Sequence, residues 1–152
     1  MDFGYLFTSF QGRINRKSFW MAAIVMVVVA IVVSIGAAII LGVEGRGFSI
    51  FGLLLSLALA YPWLALAIKR LHDRSRPDYF AYLMVAPSVL TNLAQAAGLT
   101  GDPANPNALS YLLTLLAFLA FVWAVIELGC LRGTVGPNEH GPDPLEGRAQ
   151  TA

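Results

Sequence analysis

Charge is what this chain has least of. Only 12% of its 152 residues are Asp, Glu, Lys or Arg, against about 25% in an ordinary soluble domain, which excludes a water-facing surface over most of the molecule. A single cysteine, Cys130, excludes an internal disulfide. The net formal charge of +1 lacks the basic surplus of a nucleic-acid binder, so no such partner is expected. No helical His-Glu-x-x-His pair is present and no nucleophile is spaced around a histidine, so no catalytic residue, metal or cofactor is expected either. What fills the space is apolar, at 57% of the residues.

The few charges leave four free windows, Phe19 to Val43, Gly47 to Ile68, Tyr79 to Gly101 and Pro103 to Ile126. Each exceeds the roughly 20 residues that cross about 30 Å of hydrocarbon as a helix. The pattern predicts an all-α polytopic membrane protein: a single domain over 1–152 with spans at about 19–43, 48–68, 79–100 and 108–131 and a tail from 132 to 152. The first apolar run is too long for the h-region of a signal peptide. Glu44-Gly45-Arg46-Gly47 and the stretch from Thr100 to Asn107 are turn-forming breaks, with Asn107 placed as a helix N-cap. Pro87 falls inside the third window, where it kinks a helix rather than ending it.

Orientation follows from the cations. Arg13, Arg16, Lys17, Lys69, Arg70, Arg74, Arg76, Arg132 and Arg148 share one side of a four-span chain, and Arg46 alone falls on the other. The positive-inside rule places both termini and the central loop in the cytoplasm. Ahead of the first span, Phe3, Leu6, Phe7 and Phe10 recur at helical spacing between Asp2 and Gly12, predicting a short interfacial helix over about 3–11 that rests at the headgroups. Arg13, Arg16 and Lys17 would then reach anionic phospholipid.

Small residues form ridges at Ala30, Ser34, Ala38 and Gly42 and at Gly52, Ser56 and Ala60, which predicts a close hairpin of the first two spans. Ser88, Thr91, Asn92 and Gln95 form a polar stripe on the third span, to bond with Ser110 and Thr114 or to line a cavity. Glu127, a carboxylate at the edge of an apolar span, needs a cation, and Lys69 and Arg70 lie at matching depth. They predict an ion-pair clamp, with proton coupling as the functional alternative. Cys130 reads as a packing residue.

Three polar motifs remain: Gly12 to Trp20, Lys69 to Asp78 and Gly133 to Pro144, all assigned to the cytoplasmic side. In the second, a helix continuing past Lys69 would set Lys69, His72 and Asp73 on one face and Arg70 and Arg74 on another. The chain here resembles the YhaH-type bacterial inner membrane proteins, a family of unknown function. Gly12, Arg13, Arg16 and Trp20 match its first motif; Arg70, Leu71, His72 and Asp73 its second; Gly136, Asn138, Gly141, Pro142, Asp143 and Pro144 its third. The sequence departs from the family at Arg76-Pro77-Asp78-Tyr79 and at Glu139-His140. The resemblance implies fold and location and carries no activity.

The residues singled out for binding are Arg13, Arg16, Arg70, His72, Asp73, Asn138 and Asp143. The expected role is a binding or accessory module whose cytoplasmic face recognises anionic lipid headgroups or a partner membrane protein, with a homo-oligomer as a further possibility. A small oligomeric transporter or channel built on the polar stripe is the alternative, and an enzyme resting on His72 and Asp73 the third class.

Overall fold

A computed structural model describes residues 3–43, 45–102 and 104–146. Asp2, expected as a cap, Glu44 of the first turn and Arg148 of the tail lie outside the described residues. The chain is a succession of helices: α1 (Phe3–Thr8), α2 (Arg16–Leu41), α3 (Arg46–His72), α4 (Tyr79–Ala96) and α5 (Ala108–Ala124), which runs on into a π-helical turn, Val125–Cys130. Two two-residue strands, β1 (Gly101–Asp102) and β2 (Asn105–Pro106), pair antiparallel in the turn between α4 and α5.

Local chemistry sets the boundaries. Asn15 caps α2 by accepting from the Ser18 N–H at 2.9 Å, and Asn107 caps α5 by accepting from the Ser110 N–H at 3.1 Å. Gly42, at φ 70°, ends α2 where its N–H returns to the Ala38 carbonyl. Pro87 lies within α4, which runs through it unbroken, and α3 likewise contains Pro62.

Three helical stretches are long and apolar enough to cross a membrane: α2, α3, and α5 together with its π-helical turn. Helix α4 is 18 residues long, about 27 Å at 1.5 Å per residue, and more polar; it packs against both α3 and α5. The apolar side chains of α2 point outward, Ile39 and Ile40 being 80% and 82% exposed, as a lipid-facing surface requires.

The core is strongly one-ended. The start of α2, the end of α3 and the π-helical turn converge, together with α1, and every residue from Ala65 to Asp73 is buried there. Phe19, Ala22, Met26, Leu66, Leu71, Met84 and Leu128 supply the apolar part. Among the described residues the opposite end buries little beyond Ala37, Ala94, Ala96 and Thr100. The small ridge of α3 has a partner beyond the expected hairpin: a Cβ at Gly52 would sit 3.2 Å from Oδ1 of Asn92, so this glycine lets α4 bring a polar side chain against α3.

Candidate functional site

The buried end of the molecule is built around one carboxylate. Asp73 follows α3 directly and receives Arg13 Nε and Nη2 on Oδ1 at 3.2 and 3.1 Å, while Arg70 Nη1 donates to Oδ2. Its backbone carbonyl accepts the Thr134 N–H at 2.8 Å. Burial pushes the Asp73 carboxyl up from its usual range, and the guanidiniums of Arg70 and Arg13 oppose that shift. Arg70 and Asp73, expected on different faces of the helix, are joined across i,i+3, the spacing that brings side chains together one turn apart.

Both arginines make further bonds to backbone carbonyls. Beyond Asp73, Arg13 donates to the carbonyls of Thr134, Gly136 and Gly141 at 2.8, 2.8 and 3.2 Å. Arg70 donates to Leu128 and Leu131 at 2.7 and 2.5 Å. A single guanidinium thus ties the segment before α2 to the end of α3 and to the loop after α5, which only a five-donor fork can do.

The other motif residues close the same network. Asn138 donates to the His72 carbonyl at 2.9 Å. Asp143 accepts the N–H groups of Gly136 and Leu145 at 3.0 and 2.9 Å, and these bonds hold its carboxyl below the usual range. His72 sets Nδ1 3.1 Å from the Gly12 carbonyl and Nε2 2.8 Å from Asp78 Oδ1, and its ring stacks on His140 with centroids 3.7 Å apart. It does not pair with Asp73, whose oxygens face arginines. An oxygen thus faces each ring nitrogen of His72. Asp78 and His140, one from each of the two stretches expected to depart from the family pattern, both lie against His72.

The clamp expected between Glu127 and Lys69 or Arg70 has other cations. Glu127 pairs with Arg74 at 2.6 Å and Arg76 at 3.6 Å, because the loop after α3 folds back over the π-helical turn. Lys69 instead points at α1, donating to the carbonyls of Tyr5, Leu6 and Ser9 at 2.5, 2.7 and 2.7 Å. A cation over the last carbonyls of a helix is favourable by charge, and it fixes α1 against α3.

Sequence reasoning missed the π-helical turn. Its widened backbone presents the carbonyls of Glu127, Leu128, Gly129, Cys130 and Leu131, which accept from Arg74, Arg70, Trp20, Arg16 and again Arg70. No periodicity announces such a turn, although four basic or indole donors gathered near one helix end is a usable signal. On α4 the polar stripe turns inward on its own backbone: Ser88 donates to Val85, Thr91 to Pro87 and Asn92 to Ser88. Its one bond to α5 goes from Thr91 to the Leu113 carbonyl at 3.4 Å rather than to Ser110 or Thr114.

Arg16, Lys17 and Arg132 remain exposed at this end. Arg16 makes a single bond, to the Cys130 carbonyl at 3.2 Å, and Lys17 and Arg132 make none among the described residues. Arg16 and Arg132 flank a crevice of about 30 Å³ between the start of α2 and the loop after α5.

Apolar helices bound together at one end by buried guanidiniums define a polytopic helical membrane protein. The chain belongs to the DUF805 family of proteins of unknown function, whose pattern it matches over residues 7–142. It is 29% identical to the inner membrane protein YhaI of Escherichia coli K12 over 141 residues, 93% of this chain and 90% of that one. It is 30% identical to the uncharacterized protein YiiR of the same strain over 138 residues (89% and 85%), and 28% identical to the inner membrane protein YhaH over 142 (91% and 88%). No solved structure matches.

Proposed function

We propose that the chain crosses a bacterial inner membrane four times, with both termini cytoplasmic, and serves there as an accessory module whose cytoplasmic end is a rigid basic platform for anionic lipid headgroups. The span count rests on the Asp73 network. Arg13 before α2, Asp73 after α3 and Thr134 after α5 are bonded to one another, so α3 and α5 finish at the same end. Helix α5 must then begin at the opposite end, and α4 is the segment available to carry the chain there. Nine basic residues on one side and Arg46 on the other favour the cytoplasm for that end. Helix α1, with Phe3 exposed and Phe7 half-buried, is suited to lie at the same interface.

The observation that carries the functional reading is the division of labour among the cations. Arg13, Lys69 and Arg70 are consumed by internal bonds, whereas Arg16, Lys17 and Arg132 stay exposed at headgroup depth. Each such side chain is worth about 1 kcal/mol at an anionic surface. A transport reading has less support, since the stripe hydroxyls and the Asn92 amide already bond their own helix.

The test is lipid selectivity after reconstitution. Spin-labelled phosphatidylglycerol should be immobilised by the protein in preference to phosphatidylcholine. Salt, and the combined change Arg16→Gln, Lys17→Gln and Arg132→Gln, should abolish that preference. Equal immobilisation of the two lipids by the unaltered protein would contradict the platform.

A further inference from the structure

We infer that the crevice between Asn15, Arg16, Arg132 and Gly133 is a binding site for a single phosphate group, an inference that rests on the platform reading and narrows it to one position. Three guanidiniums line the crevice, those of Arg16, Arg70 and Arg132, against two carboxylates, Asp73 and Asp143. The carboxylates are not free to fill it from within. Both oxygens of Asp73 are held by Arg13 and Arg70, and both oxygens of Asp143 by backbone N–H groups. A net positive charge therefore faces a small cavity, and the donors left unused there are those of Arg132 and most of those of Arg16. Arg132 has all five of its donors available among the described residues, and Arg16 is committed at one atom only.

Size and shape select the ligand. A volume of about 30 Å³ is on the scale of one or two water molecules, so the crevice can take oxygens of a small oxyanion seated at its mouth and excludes anything bulkier. Val135 and Leu145 line the remainder and leave an apolar lip beside the charged floor. Two guanidiniums converging from different segments suit a tetrahedral oxyanion, to which each can donate in fork fashion. Such a ligand would bridge the start of α2 to the loop after α5. That is the same pair of segments Arg13 joins from inside, so occupancy would also tighten the network.

A phosphate group reaches this depth either on a phospholipid or free from the cytoplasm. Native mass spectrometry of the full chain in a neutral detergent separates the two, with phosphatidylglycerol, phosphatidylcholine and inorganic phosphate as probes. One phosphatidylglycerol should bind per chain, and Arg132→Gln and Arg16→Gln should each weaken it on the order of tenfold, the loss of one charge-assisted fork. Lys17→Gln should leave it nearly unchanged. Displacement of the lipid by inorganic phosphate would assign the site to the free ion, and resistance to displacement would assign it to the headgroup; each supports the crevice. Wild-type affinity in both arginine variants, with circular dichroism showing both folded, would overturn it. Should Lys17→Gln weaken binding instead, the platform would stand without the crevice. If the unaltered chain holds the two lipids equally, both readings fail.

Discussion

At the residue scale the network depends on one position having no side chain at all. A Cβ on Gly133 would lie 2.0 Å from Asp73 Oδ2 and 2.9 Å from the Asp73 carbonyl oxygen, so the loop after α5 can approach the buried carboxylate only as glycine. The neighbouring Gly136 is glycine for a different reason, its φ of 78°, and has open space where a Cβ would go. Gly133→Ala should therefore push Asp73 out of reach of one arginine and cost about 3–5 kcal/mol, the penalty for stranding a buried charge. Gly136→Ala should cost about 1–2 kcal/mol of backbone strain. Thermal unfolding in detergent ranks the two, and equal midpoints would contradict the assignment. The sequence announced the three motifs that hold these glycines and Arg13, Asp73 and Asn138, because residues of those types at such density are rarely idle. It could not say that Arg70 turns to Asp73 and leaves Glu127 to Arg74 and Arg76, since that depends on how the loop at Ser75, with its positive φ of 52°, reverses the chain.

At the scale of elements, the charge-free windows located the long helices to within a few residues, because exclusion of charge from hydrocarbon is a blunt and reliable constraint. Helix α1 came out shorter than the interfacial helix expected from the apolar pattern, six residues against about nine, and Lys69 holds the chain just beyond it by the Ser9 carbonyl. The loop from Gly133 to Glu146 is an element of another kind. None of its described residues enters the apolar core, and hydrogen bonds and the His72–His140 stack hold it. Such a loop should respond to pH through Asp143. A carboxyl held below its usual value in the folded state contributes stability above about pH 4 and loses that contribution only as the pH falls through its lowered value. The amide resonances of Gly136 and Leu145 should accordingly hold their shifts down past pH 4 and move together below it. In Asp143→Asn they should show no such acid transition, and an unchanged transition in that variant would assign the effect to another group.

At the scale of the whole molecule the feature to explain is the imbalance between its two ends. One end is packed around Ala65 to Asp73 and cross-linked by arginine, while among the described residues the other buries little beyond small residues such as Ala37, Ala94 and Ala96. That imbalance follows from where the chain bonds to itself: three segments far apart in sequence, near 13, 73 and 134, are joined by hydrogen bonds at one end. The hydropathy pattern announced the long apolar helices. The bonds that join the three segments were not readable, because they run from guanidinium to backbone carbonyl and carbonyls carry no sequence signature. The most direct measurement of this account is a double-mutant cycle on Arg13 and Asp73 in the reconstituted protein, following unfolding. Arg13→Gln and Asp73→Asn should each destabilise by about 3–5 kcal/mol, and together by clearly less than their sum, because the second change removes a charge the first left unpaired. Additive losses, or single variants as stable as the parent, would contradict a bundle closed at its basic end by these two residues.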